Sequence, residues 1–531
     1  MPENDNRSPE EIELERRRRR EAKRRRQAKK RRQRLIKRAI LFAVLVVVLI
    51  VCVVILMKTL KKDKAEAPVQ DILTEQTAPI DTPLPESEQV AEEPAPAPEA
   101  DAQEEAALNA TGDKGYVLQT ALAQAQTYDY DGALATLASY TDQNDGDVQA
   151  AAADYTARRD SCVAVDVAAA PHIFFHSLIN DNRAFIVTDQ VTEGRVTANN
   201  AAMATVDEFD HVLQYMYDAG FVLISLDDMV TVNADGTFSK NTNLMLPPGK
   251  KPFIMSEDDL SYYHSYGENG VQGYADRLVL DENGEVKCRF VDKDGVEHIG
   301  DYDMVPRLET FIKNHPDFAY HNARPTIALT GYNGVFGYVT NDYYANGGDM
   351  ENLGTAQIAY LQNHPEYDYD TACAEATKIA DALKAAGWTF ASHTYGHLDA
   401  NAQPLETLQR DHERWKIAVE KIIGPTDKII FAFGADIGGA SEYTRDNPKY
   451  AYFADQGFKF FCNCDGTLGW CQINPNFVRT GRFAIDGFTL YQAMTPDAHS
   501  HARCSSNYEA LGIHDIAAWF DPDRTTPIES E

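Results

Sequence analysis

Positive charge is scarce in most of this chain. Of the 50 Lys/Arg in 531 residues, 17 fall within residues 1–38, and the remaining 33 face 74 Asp/Glu. So acidic a body has no electrostatic footprint for nucleic acid, and that partner class is excluded. Cysteine is scarce too, at 8 residues, which excludes a dense disulfide scaffold. Cys462, Cys464, Cys471 and Cys504 lie close enough to suggest one disulfide or two, and their C-x-C spacing is not that of a zinc ribbon. Long apolar runs are equally rare: residues 39–57 form an uninterrupted one.

That run is long enough to span a bilayer as a helix. No small-residue cleavage site follows it before Lys58, Lys61 and Lys62, which argues against a signal peptide. The basic flank 16–38 outweighs those lysines, so the positive-inside rule puts the N-terminus in the cytoplasm. The expectation is a single-pass cell-membrane protein with its catalytic domain outside the cell.

Residues 1–38 then read as a basic cytoplasmic tail. Residues 58–112, rich in Ala, Pro, Glu and Gln, read as an extended acidic linker that cannot bury a core. Residues 113–163 read as a small helical segment. It has turn chemistry at Asp129-Tyr130-Asp131-Gly132 and Asn144-Asp145-Gly146-Asp147, and a tetratricopeptide-like fragment too short for a solenoid.

From about residue 170, strands alternate with helices. Strands are expected at 173–175, 221–224, 252–255, 326–330, 388–391, 428–433 and 458–463. Helices are expected at 206–219, 304–314, 370–386 and 403–423, with a small β-meander at 277–300. Repeated βα units over this length predict a parallel (β/α) barrel across 165–531.

In such a barrel, chemistry gathers where strands end. Ser256-Glu257-Asp258-Asp259 closes one apolar run and His393-Thr394-Tyr395-Gly396-His397 closes another; Asp436 and Asp465 follow two more. One carboxylate and two imidazoles can hold a divalent metal and leave the adjacent carboxylate free as a base, which is what metal-assisted hydrolysis needs. On a helical turn, i and i+4 share a face and reach one ion. A lone H-x-x-x-H is weak evidence, and His172/His176 repeats the spacing. The acidic pair also has a bland reading as a solvated turn. Iron is an alternative occupant of an Asp-His-His set, but the spare aspartate favours hydrolysis.

These motifs resemble those of polysaccharide deacetylases of the carbohydrate esterase family 4, or NodB-homology, type. Ser256-Glu257-Asp258-Asp259-Leu260 aligns with that family's Thr-Phe-Asp-Asp-Gly, and His393 to His397 match its His-Ser/Thr-x-x-His. Ile173-Phe174-Phe175-His176-Ser177, Gly457-Phe458 and Arg482-Phe483 extend the similarity over about 171–526.

The resemblance implies a distorted (β/α) barrel and removal of N-acetyl groups from a glycan, peptidoglycan foremost. It implies zinc, or another divalent transition metal, on Asp259, His393 and His397, with Asp258 as the general base. Asp436 and Tyr395 would touch substrate. Two departures stand out. The family's third motif carries an arginine that orients the base, and Phe431-Ala432-Phe433-Gly434-Ala435-Asp436 has none. The C-terminal Leu-x-His that supplies the acid is also not evident, so His176 is preferred as general acid, with His514 as the alternative. Asp497-Ala498-His499-Ser500-His501 reads as a surface loop rather than a second metal cluster. Two further readings stay open: a non-catalytic glycan-binding protein, which the missing arginine favours, and an O-acetyl esterase.

Overall fold

The computed structural model describes residues 113–347, 353–495 and 502–528. The described part opens with helices α1 (Lys114–Gln126), α2 (Tyr130–Ala138) and α3 (Gly146–Ser161), N-capped by Asp113, Asp129 and Asp145. In α1 the buried stripe is Val117, Ala121 and Ala125, while Leu122 is exposed. These helices share a hydrophobic cluster with barrel residues such as Ile254 and Phe460. Tyr128 also donates its hydroxyl to the Asp317 carbonyl. The segment is docked on the barrel.

The barrel follows. Its elements are β1 (His172–Phe175), α4 (Glu193–Ala202), α5 (Val206–Asp218), β2 (Phe221–Leu223), β3 (Lys251–Asp258), the meander β4 (Arg277–Leu280), β5 (Val286–Val291) and β6 (Glu297–Gly300), and α6 (Met304–Asn314). After these come β7 (Thr326–Leu329), α7 (Tyr369–Ala385), β8 (Thr389–Ser392), α8 (Leu405–Trp415), β9 (Lys428–Ile430), β10 (Phe460–Cys464), β11 (Cys471–Asn474) and β12 (Phe477–Ala484). Strands β1, β3, β7, β8, β9, β10 and β12 pair in that order, all parallel, and β12 returns to β1. The result is a closed seven-stranded parallel barrel. β2 adds in parallel to the start of β3, and β11 pairs antiparallel with β12.

The outer helices pack as their sequence periodicity dictates. α5 buries Phe209, Val212, Leu213 and Met216 at helical spacing and starts from a Thr205–Glu208 capping box. Inside the barrel, Ile254, Ala328, Ala391, Ile430, Phe460, Cys462 and Val478 form a common cluster drawn from several strands. Alternation along β3 follows: Ile254, Ser256 and Asp258 share the interior side, while Phe253, Met255 and Glu257 face the helices.

Four expectations need correcting. No helix among the described residues is long and apolar enough to cross a membrane, and the run 39–57 lies outside those residues. The transmembrane helix, the membrane partnership, and the single-pass topology with an external catalytic domain are therefore withdrawn. Second, β3 runs on through Asp258, so the acidic motif is strand rather than the loop after one. Third, the strand expected at 428–433 stops at Ile430, and the helix expected at 403–423 is α8 followed by a π-turn over Lys416–Glu420. Fourth, the described cysteines are free. Cys462 and Cys471 both pair across Thr480, from opposite sides of β12, which separates them by about two strand spacings, ~9.5 Å, beyond disulfide reach. The tail 1–38, the linker 58–112 and the His499/His501 loop lie outside the described residues.

Candidate metal centre

β3 ends by turning. Asp259 leaves the strand with a left-handed φ of 62°, a conformation that Asp tolerates better than most residues. The turn points its carboxylate at the loop after β8. That loop, His393 to His397, is not the helical turn its spacing suggests: Thr394 and His397 also have positive φ, 63° and 52°. What replaces helical hydrogen bonding is Asp411 of α8. Its buried carboxylate accepts the amides of Tyr395 (2.7 Å) and Gly396 (2.8 Å). Burial raises the pKa of Asp411 to about 7, despite the two amide donors.

The loop brings both imidazoles to Asp259. His393 Nε2 lies 3.8 Å from Asp259 Oδ1, and His397 Nε2 lies 3.6 Å from Oδ2. The three candidate ligand atoms lie within 4.8 Å of one another. His393 and Asp259 are also oriented from behind. His393 Nδ1–H donates to the Ile430 carbonyl at 2.7 Å, which leaves Nε2 as a lone-pair donor. Tyr263 donates its hydroxyl to Asp259 Oδ1 at 2.5 Å. Burial raises the Asp259 pKa, but His397 and His393 outweigh it and hold the carboxyl below its usual range. Two imidazoles and a carboxylate, with His393 and Asp259 braced by these hydrogen bonds, fit a divalent transition metal.

Asp258 is 3 % exposed and lies inside the barrel mouth, so the acidic pair is no solvated turn. Its two oxygens accept a bidentate pair from Arg482, Nη1 at 2.8 Å and Nη2 at 2.9 Å. Burial alone would raise its pKa; Arg482, then His393, pull it far below the carboxylate range. The arginine that pairs with Asp258 thus comes from β12. Arg482 also reaches Ser256 Oγ at 3.1 Å. Ser256 in turn joins His172 Nε2, whose Nδ1 meets Thr480. Both ring nitrogens of His172 are thus taken, so the His172/His176 pair cannot hold an ion through both rings.

The other sequence candidates are placed as follows. His176 follows β1 and is anchored through Nδ1 to the Ala202 carbonyl at 2.9 Å. It lies within electrostatic reach of both Asp258 and Asp259. His514 packs on Tyr215 of α5 and on its own loop through Gly512, on the outer layer and with no cluster residue among its partners. Tyr395 is buried, and its hydroxyl is taken by Asn341 at 2.6 Å. Asp436 is tied to Arg479 at 2.6 Å and to Tyr443. Asp465 caps its own turn at Thr467. The structure therefore gathers Asp258, Asp259, His393, His397 and His176, and does not bring in His514, Tyr395 or Asp436.

Glu257, immediately before Asp258 on β3, points the other way. It is fully buried with neither oxygen hydrogen-bonded. Burial, then Asp303 and Asp258, push its pKa well above the usual value. The folded state therefore binds this proton more tightly than the unfolded chain. Its contribution is complete below the unfolded pKa, about 4.3, and is lost as pH rises toward the folded pKa. Glu257→Gln is expected to gain about 1–3 kcal/mol over wild type at pH 8, and little at pH 4, read from urea midpoints. A variant less stable than wild type at pH 8 would contradict this.

No protein-family model matches the chain, and no curated protein matches it. Among solved structures, the Streptococcus pyogenes deacetylase PplD, in complex with acetate, is similar at 13% identity and a TM-score of 0.30. That match covers 61% of this chain and 94% of that one. A polysaccharide deacetylase from Bacillus cereus is similar at 12% identity and a TM-score of 0.28, over 61% of this chain and 65% of that one. Both likenesses are remote. What the chain itself holds is a closed parallel barrel with an Asp259/His393/His397 cluster capable of taking a divalent metal at its mouth, an arrangement that supports a hydrolase role.

Proposed function

We propose that the protein is a metal-dependent hydrolase that removes N-acetyl groups from a polysaccharide, with peptidoglycan N-acetylglucosamine the leading substrate. The observation that carries this reading is the pairing of the metal-ready triad with a second carboxylate, Asp258, locked in its ionised form by Arg482. Pure glycan binding requires neither. The missing third-motif arginine no longer favours a non-catalytic protein, because Arg482 fills that place from another strand.

Asp259, His393 and His397 would hold the cation. A divalent metal there supplies Lewis acidity for an acyl carbonyl and acidifies a water, chemistry that suits a base as weak as an arginine-paired carboxylate. Asp258 accepts the proton of the attacking water while Arg482 fixes its orientation. His176, held at Nδ1 by Ala202, donates a proton from Nε2 to the leaving amine. Phe433 supports a sugar substrate. It is 60 % exposed, at a left-handed φ of 57°, with its ring edge-on to His397 at 4.4 Å. An exposed aromatic in a strained conformation at a site mouth is a recognition feature.

The test is metal analysis of the purified protein alongside acetate release from chitooligosaccharides and peptidoglycan. About one bound zinc per chain is expected from the one ligand set among the described residues. His393→Ala should lose both metal and acetate release. A wild-type protein that binds no divalent metal and releases no acetate overturns the reading. Release confined to O-acetylated glycan identifies an esterase instead.

A further inference from the structure

Arg195 is a half-buried arginine without an acid. Buried Arg324, Arg414, Arg479, Arg482 and Arg524 each hold a carboxylate; among the described residues, Arg195 has none within ion-pair distance. Its Cζ instead lies 3.3 Å from the ring centre of Tyr266, and the phenols of Tyr266, Tyr274 and Tyr332 surround it. Among the described residues Arg277, over Tyr338, is likewise without an acid; what sets Arg195 apart is where its own three tyrosines lead.

The same tyrosines run to the metal centre. Tyr332 stacks on Tyr263 at 5.0 Å, Tyr266 packs edge-on to Tyr263 at 5.1 Å, and Tyr263 holds Asp259. Helix α4 links the two places independently. Arg195 sits in its first turn, and the carbonyl of Ala202, its last residue, anchors His176. Seven residues of helix separate them, about 10 Å.

We propose that Arg195 and its tyrosines form an anion-recognising subsite beside the reacting centre, taking the carboxylate of an acidic sugar within the glycan. The inference rests on the glycan reading above. Tyr266 lies over the guanidinium and takes part of its hydrogen bonding; the in-plane N–H groups that remain are the ones that match a carboxylate. Cation–π packing alone would stiffen the wall without distinguishing one sugar from another.

The experiment is calorimetric titration of the full-length protein with two tetrasaccharides. One is a neutral N-acetylglucosamine tetramer; the other alternates N-acetylglucosamine with glucuronate. Wild type should bind the acidic one more tightly. Arg195→Gln should weaken acidic binding about 10- to 100-fold while leaving neutral binding within about twofold, the scale of one lost charge-assisted hydrogen bond. Arg195→Lys should restore part of the loss. Equal wild-type affinities, or an equal loss on both sugars, overturn the subsite. Where Arg195→Gln does not fold, the wild-type preference decides alone. Because binding is read rather than turnover, a protein that releases no acetate fails the hydrolase reading and still shows whether Arg195 selects the acidic sugar.

Discussion

Asp258→Asn is expected to leave the metal content at the wild-type level and to lower kcat by about 10²- to 10⁴-fold, the range of a lost general base. The geometry separates the two roles. Asp259 turns out of β3 to meet the imidazoles, while Asp258 stays in the strand with both oxygens on Arg482. An amide there keeps the shape and loses the proton acceptor. It also leaves Arg482 without a counter-charge, so the rate must be expressed per folded molecule, with the folded fraction taken from an unfolding curve. A variant within tenfold of wild type would remove Asp258 from the role of base.

The second large effect falls on stability. Arg482→Met leaves a fully buried carboxylate unpaired, and a loss of about 3–5 kcal/mol is expected. Its pH dependence has a definite sign. Against the opposing effect of burial, Arg482 holds the Asp258 pKa below its unfolded value. The stabilisation is therefore present above the unfolded pKa, about 3.9, and is lost as pH falls through the folded one. The gap between wild type and variant should be widest near neutrality and shrink in acid, read from urea denaturation at pH 7 and pH 3. The double variant Asp258→Asn/Arg482→Met should be less destabilised than the two single losses combined, by about 0.5–3 kcal/mol. Strict additivity would mean that the pair is not an energetic unit.

The ligand triad is legible in the sequence because each motif ends an apolar run, and a barrel places such junctions at one mouth. Its geometry is not. Identity and spacing of His393 and His397 fit a helical turn, whereas the loop is built from positive-φ residues and from amides given to Asp411 on the next helix, which no local pattern links to them. Arg482 escapes notice as the partner of Asp258 for a related reason. Phe477–Ala484 carries two arginines and a glycine, so its pattern reads as polar and predicts no strand. Both arginines are in fact buried against carboxylates. Hydrophobic periodicity finds strands that bury apolar groups, and a strand that buries paired charges escapes it. Tyr395 and Asp436 sit beside the right motifs, but core partners already occupy their polar groups, a fact that only the three-dimensional contacts reveal.

The Asp411 bridge has a consequence for transplanting this centre. His393 to His397 look like a self-contained five-residue cassette, yet their shape is imposed by a carboxylate on a helix that begins after a separate loop. Grafting the five residues onto another strand end would carry the ligands without the mould that spaces them. The smallest unit that carries the two imidazoles in shape is the strand, its loop and α8 together, roughly residues 389–415; Asp259 and the Ile430 carbonyl must still come from neighbouring strands. Within that unit, the stretch between the loop and the helix is the part open to redesign.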